Sequence, residues 1–238
     1  AGPKDPIGGA GGMRLNKSGV KTRLAVFGVI ALLLVVCSFF SEYLTPYDPY
    51  LQNLDIAKQP PSAEHLLGTD RYGRDMLSRV IAGSRASIFS TLLLVAVITA
   101  LGTAVGVTCG WVGGLTDTVL MRISDVFLAF PGLVFALAVA GSLGGGLQNA
   151  IIALAAISWP KYARIARSQT LAQKETQWMK AVRLSGSGTG KIIFKHILPN
   201  IIGPILVTSM LDIGTMMMEL AALSFLGLGA KPPIPEWG

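Results

Sequence analysis

Of the 238 residues, 51% are hydrophobic and only 14% charged. With a mean hydropathy of +0.57, the chain falls among membrane proteins and outside the range of soluble globular domains. The formal net charge of +7 lies mostly between the apolar runs, and no basic face is interleaved with stacking aromatics, which excludes a nucleic-acid binder. Cys37 and Cys109 sit in different apolar runs, two lone thiols that make neither a disulfide framework nor a metal motif.

Residues 1–12 are Gly-rich and begin without Met, and they read as a flexible tail or an added remnant ahead of Met13. The arm formed by residues 1–23 sets Lys4, Arg14, Lys17, Lys21 and Arg23 against Asp5. Because Lys and Arg are retained on the cytoplasmic side of a bilayer, the N-terminus is expected inside. Residues 24–40 are uncharged and form the first expected span, near the short limit of the ~20 residues that cross a hydrocarbon core. Residues 41–87 balance five basic residues against six acidic ones and contain Pro46, Pro49, Pro60 and Pro61, the pattern of an outer loop. Within that loop, Met76, Leu77, Val80 and Ile81 at i, i+1, i+4 and i+5 predict an interfacial helix.

The second expected span is residues 88–115, where Gly102, Gly106 and Gly110 follow the small-xxx-small spacing that lets helices approach closely. Arg122 and Asp125, three apart, predict a mutual pair. Residues 126–160 hold two spans around Gly144, Gly145 and Gly146, with Trp159-Pro160 at a span end. Residues 161–199 carry eight basic residues against the single acid Glu175, which marks a cytoplasmic loop. The fifth span, residues 197–228, contains only Asp212 and Glu219 as charges. An inside start followed by five spans puts 161–199 inside and 230–238 outside, so charge bias and span count agree.

The part of that loop at residues 178–200 is a basic, glycine-broken amphipathic island. Trp178, Ala181, Val182 and Leu184 stand near helical spacing, residues 185–190 read Ser-Gly-Ser-Gly-Thr-Gly, and a second apolar run ends in Pro199-Asn200. Apolar residues three and four apart give a short helix one adhesive face, and the glycines supply the turn that ends it. A helix of this kind suits either a partner's groove or the membrane surface. No energy source accompanies it. The nearest approach to a phosphate-binding loop is Gly190-Lys191, but Ser185 occupies the first glycine position and Ile192 replaces the hydroxyl residue. With no Ser-His-Asp or paired-carboxylate arrangement in an aqueous domain, and only His65 and His196 as histidines, the chain is not expected to be an enzyme.

Ala181, the Arg183-Leu184-Ser185-Gly186 turn and His196-Ile197-Leu198-Pro199-Asn200, in that order, resemble the coupling loop of permease subunits of binding-protein-dependent ABC importers. The resemblance extends to LGTDRYGRDMLSRVIAGSR at residues 67–85 and SFLGLGAKPPIPEWG at 224–238, and together these are similar to the second, C-type permease of the dipeptide, oligopeptide and nickel subfamily. It covers residues 24–238 and implies an all-α integral membrane fold, the type I ABC importer permease fold, with five of an expected six transmembrane helices. Members usually continue past the Pro-Glu-Trp-Gly segment into a sixth span. The partners implied are a second homologous permease, two ATPase subunits that bind the ATP and Mg, an extracytoplasmic solute-binding protein and membrane lipid, all at a bacterial cytoplasmic (inner) membrane. The family's loop often has an acid followed by two alanines, where this chain has Lys180, Ala181 and Val182.

On this resemblance, Trp178, Lys180, Ala181, Arg183, Leu184 and Gly186 are expected to contact the ATPase, with His196, Pro199 and Asn200 closing the loop. Asp212, Met216 and Glu219 are candidates for the translocation path. Asp212 and Glu219, two turns apart on one helix face, are acids in an apolar segment, which are expensive there unless paired or facing water. A cation path competes with pairing to a partner subunit or a place near the membrane surface. Met216, Met217 and Met218 point three different ways on a helix and favour packing over a soft-metal surface. Residues 212–217 look closer to nickel-type members, yet Thr215 stands where those can place a histidine, so nickel, carried as a chelate, and small peptides both remain open as cargo. A secondary transporter would need an inverted repeat that the five spans do not show, and a structural membrane protein would not need the island.

Overall fold

The computed structural model describes residues 17–238, with side chains from residue 21 onward; the tail at 1–12 and the arm residues Lys4, Asp5 and Arg14 lie outside the described residues, as does the side chain of Lys17. Every regular element among them is helical. In chain order these are α1 (Lys17–Phe39), α2 (Ser41–Leu44), a 3₁₀ turn (Leu54–Ile56), α3 (Met76–Val112), α4 (Gly114–Leu128), α5 (Gly132–Ser142), α6 (Leu147–Lys174), α7 (Gln177–Leu184), α8 (Thr189–Ile192), a π turn (Ile193–Ile197) and α9 (Leu198–Phe225).

Among the described residues, three helices are long and apolar enough to cross a bilayer, Lys21–Phe39, Met76–Val112 and Thr189–Phe225. A fourth crossing arises if α4 and α5, bent by 91° at their break, count as one broken span. The bend falls at Pro131, which caps α5; proline lacks the amide a continuous helix would need and pushes its predecessor out of helical geometry. The second of the two spans expected within residues 126–160 falls in α6. That helix is 28 residues long, with Pro160 inside it rather than at its end. Its second half carries Lys161, Arg164, Arg167 and Lys174, so composition alone does not mark it as a span. Such charges are tolerable because Ala150, Ala153, Leu154, Ala163 and Ala166 bury α6 against protein and because three of the four bases meet carboxylates from other helices.

The separate interfacial helix expected over Met76, Leu77, Val80 and Ile81 is instead the first part of α3. The 37 residues of α3 run without a break, about 55 Å at 1.5 Å per residue, well beyond a ~30 Å hydrocarbon core. Asp75 caps it, accepting from the Ser78 amide at 2.7 Å. Gly113 (φ 70°) and Gly114 (φ 59°) end it in a left-handed turn.

The tightest packing in the bundle is α3 on α6, and the glycine spacing is its cause. A Cβ on Gly102 would lie 2.4 Å from the Tyr162 Cβ, one on Gly106 2.2 Å from the Ala163 carbonyl oxygen, and one on Gly110 2.8 Å from the Thr170 Cβ. Only hydrogen side chains admit that approach. The core continues through Leu94 and Ile98 of α3, Leu154 of α6, and Ile201, Ile205 and Leu223 of α9, all fully buried. Gly106→Ala is therefore expected to lower thermal stability in detergent by about 1–3 kcal/mol, the usual penalty of overpacking. Gly141→Ala, whose Cβ would meet nothing within 4 Å, leaves the melting temperature unchanged in the same assay.

Candidate functional site

The island folds as the short helix α7 followed by a turn, and α7 has two unlike faces. Met179 is fully buried and Val182 packs against the same core; three residues apart, they form the inward face. Trp178, Ala181 and Leu184, at i, i+3 and i+6, are exposed on the other, and Leu184 at 90% exposure touches almost nothing. Lys180 also points to solvent and makes no ion pair among the described residues. Gly186 holds a φ of 76°, a left-handed conformation that glycine adopts without strain and that ends the helix.

One of the expected contact residues, Arg183, has a partner within the chain, and its neighbour Val182 is turned to the core. The Arg183 guanidinium lies over the Trp111 ring, 4.6 Å from its centroid. Lys174, the last residue of α6, donates to the carbonyls of Trp111 at 2.8 Å and Gly110 at 3.2 Å, capping α3. A cation at a helix C-terminus meets both open carbonyls and the negative end of the helix dipole. Trp111, Lys174, Arg183, Ser187, Thr189 and Ile192 together line a cavity of about 400 Å³ beside α7. His196 sits behind the exposed stripe, its ring 6.0 Å from that of Trp178, and Asn200 donates to the His196 carbonyl at 2.6 Å. Pro199 lies in the first turn of α9, just past the π turn. Met179, Trp111 and Lys174 escaped sequence reasoning. Met179 was detectable as the partner of Val182 at helical spacing, whereas no sequence signal joins Trp111 to Arg183.

Of the candidate path residues, Asp212 is paired from within the chain rather than with a partner subunit. Lys161 Nζ donates to its two oxygens at 2.7 and 2.8 Å, and the Tyr162 hydroxyl donates at 2.9 Å. An open cation site is not what this carboxylate provides; its charge is already matched, from within the chain. Met216 is buried one turn further on, and Glu219 is half-buried with no hydrogen bond or ion pair among the described residues. The acid expected to pair with Arg122 has a closer partner: Asp125 is 2.5 Å from Arg164 and 3.9 Å from Arg122. Asp117 takes Arg167 bidentately at 2.5 and 2.6 Å, the geometry best suited to an arginine–carboxylate pair.

At the far end of α3, two motifs 150 residues apart meet. The Trp237 amide donates to Ser87 Oγ at 3.0 Å and its indole to the Val80 carbonyl at 2.9 Å. Arg79 reaches the carbonyls of Pro49 and Pro233, and the Glu236 backbone passes so close that a Cβ on Gly83 would lie 3.2 Å from it. The 41–75 segment is ordered around two carboxylates. Asp70 accepts from Arg74 Nε at 2.7 Å and from the amides of Tyr72 and Arg74, and Asp75 bonds His65 at 2.9 Å while capping α3. Burial pushes both carboxyls up, but hydrogen bonds outweigh it, from Arg74 and Tyr72 on Asp70 and from Ser78 and His65 on Asp75, so both are held below the usual carboxylate value.

This architecture defines a class, an all-helical integral membrane protein with a short two-faced helix between two of its long helices. Residues 102–238 match the family described as "Binding-protein-dependent transport system inner membrane component", and residues 20–61 match "N-terminal TM domain of oligopeptide transport permease C". The chain belongs to this permease family of transport proteins. It is 40% identical over 213 residues to the glutathione transport system permease protein GsiD of Pectobacterium atrosepticum, covering 89% of this chain and 70% of that one. It is 40% identical over 219 residues to the dipeptide transport system permease protein DppC of Alkalihalophilus pseudofirmus, covering 92% and 72%. To the nickel transport system permease protein NikC of Escherichia coli it is 39% identical over 216 residues, covering 91% and 77%.

Folded-state values below the unfolded one mean that Asp70 and Asp75 stabilise the segment above about pH 4, and that this contribution is lost as pH falls through their depressed values. Hydrogen-exchange protection of the Tyr72, Arg74 and Ser78 amides is accordingly expected to hold from about pH 7 to about pH 5 and to fall below about pH 4.

Proposed function

We propose that this chain is one of two permease subunits of an ATP-driven importer, forming half of a translocation path for a short peptide or a nickel chelate, with α7 as the docking element for an ATPase subunit. The observation that carries the reading is the exposed stripe of Trp178, Ala181 and Leu184 on a helix whose other face, Met179 and Val182, is anchored in the core. Aromatic and aliphatic side chains left in water on an anchored helix suit a partner's groove, the helix-in-groove mode. Gly186 lets the chain leave that stripe sharply, and Lys180 supplies a charge at its edge. Arg183 acts as an internal brace on Trp111 rather than as a contact with the ATPase rim. The ATP and Mg belong to the partner subunits, and a solute-binding protein delivers the cargo at the opposite face.

Charge bias supports a cytoplasmic N-terminus and island with the 41–75 segment outside, and the family supports the inner membrane of a bacterium as the setting. A thiol-specific, membrane-impermeant reagent added to intact cells is expected to label Ser62→Cys and to spare Ser187→Cys, whereas inverted vesicles give the reverse. The names of the relatives support glutathione, dipeptide and nickel cargo at closely similar identity, so cargo is ranked by ATPase stimulation with binding proteins loaded with each.

Leu184→Asp and Trp178→Ala are expected to weaken retention of the ATPase subunits by about tenfold or more each, as centrally placed anchors do, without changing the amount of chain in the membrane. Gly186→Leu should leave the chain inserted and separate ATP hydrolysis from transport. Wild-type transport in vesicles carrying these variants would refute the docking assignment.

A further inference from the structure

The island is entered from α6 and runs on into α9, and the stretch that joins it to α9 is soft. The π turn at Ile193–Ile197 loosens the helical ladder, and Pro199 and Pro204 each remove an amide from it. On one side that stretch borders a groove of about 650 Å³, lined by Thr99, Thr103 and Val107 of α3 and by Leu198, Ile202 and Leu206 of α9. A displacement entering through the island would be absorbed there unless α9 were tied to α6 further up.

Such a tie exists at Lys161, Tyr162 and Asp212. The Asp212 carboxylate receives both Lys161 bonds and the Tyr162 hydroxyl, on consecutive residues of α6. Tyr162 is fully buried, and its Cβ occupies the space opened by Gly102, so α3 backs the same point. Asp212 stands about 20 Å from each end of α9 at 1.5 Å per residue, near mid-depth. An ion pair at that depth is a poor source of stability, because a hydrophobic pair of similar volume does as well. What three hydrogen bonds from two consecutive side chains onto one carboxylate provide is register. Apolar helices slide and rotate against each other at little penalty, whereas this carboxylate reaches the fully buried Tyr162 hydroxyl over a narrow range of settings, with the more exposed Lys161 following it on a flexible stem.

We propose that Lys161, Tyr162 and Asp212 form a positioning clasp that makes α6, α9 and the island move as one lever, so that a displacement at α7 reaches the middle of the membrane. This rests on the reading that α7 docks an ATPase subunit. The three residues are positioning residues and hold no cargo.

The test uses the full reconstituted importer with loaded binding protein, measuring cargo moved per ATP hydrolysed. Lys161→Met and Asp212→Asn each strand one charge and are expected to lower the amount of assembled complex. The double variant strands none and is expected to restore assembly and stimulated ATP hydrolysis, while cargo moved per ATP falls by about fivefold or more. Lys161→Arg, which keeps the charge and donors, is expected to hold the ratio near wild type. A double variant with the wild-type ratio would overturn the clasp, since a merely stabilising pair is dispensable once both charges are gone. Should Leu184→Asp leave ATPase retention intact, it is the docking reading that fails, and the clasp with it.

Discussion

Everything in this bundle depends on how closely α3 and α6 approach. Lipid is as apolar as leucine, so apolar side chains gain little by leaving it, and helices hold together through close contact. Gly102, Gly106 and Gly110 remove the side chains that would keep the two backbones apart, and carbonyl oxygens of Trp159, Ala163 and Arg167 fill the space. That contact sets α6 inside the bundle. Only a helix so placed can carry four bases in its second half and still lie among membrane-spanning neighbours.

Those bases then bind the rest of the structure together. Lys161, Arg164 and Arg167, three residues apart, follow one face of α6 and reach carboxylates on two other helices, Asp212 of α9 and Asp125 and Asp117 of α4. Lys174 ends the series by capping α3. Each partner lies 39 or more residues away in the chain. A row of bases that would be costly in lipid thus becomes a row of fixed points, each specifying the setting of a neighbouring helix. The pairs at Asp125 are partly exposed and add little stability in water; their contribution lies in position.

The periodic features of this fold were readable from the sequence, and the pairwise ones were not. Glycines four apart announced a close helix contact, and apolar residues at helical spacing followed by Gly186 announced a short helix and its end, because both signals arise from neighbours on one helix. Charge bias grouped residues 161–174 with the loop, since counting bases cannot distinguish a base in water from one paired to an acid 50 residues away. The Arg183–Trp111 contact is hidden for the same reason: the ring that receives the guanidinium belongs to the end of α3. The meeting of residues 76–87 with Glu236 and Trp237 is likewise hidden, although each stretch is a motif in its own right. Contacts across helices depend on which faces are turned together, and that is set by the glycine contact, not by either motif alone.

The same contacts explain why α7 is suited to pass on a push rather than yield to it. By chain continuity it pulls on α6 through Glu175 and Thr176. Through Arg183, with Lys174 beside it, it bears on Trp111 at the end of α3. Through Trp178 it abuts His196, in the π turn that leads into α9. Met179 and Val182 keep its inner face in the core. A helix of eight residues has little stability of its own, so its position is dictated by these supports. On the proposed docking, a force on Trp178, Ala181 and Leu184 would reach three long helices at once, and the route through the π turn and prolines of α9 is the one that the proposed tie at Asp212 backs up.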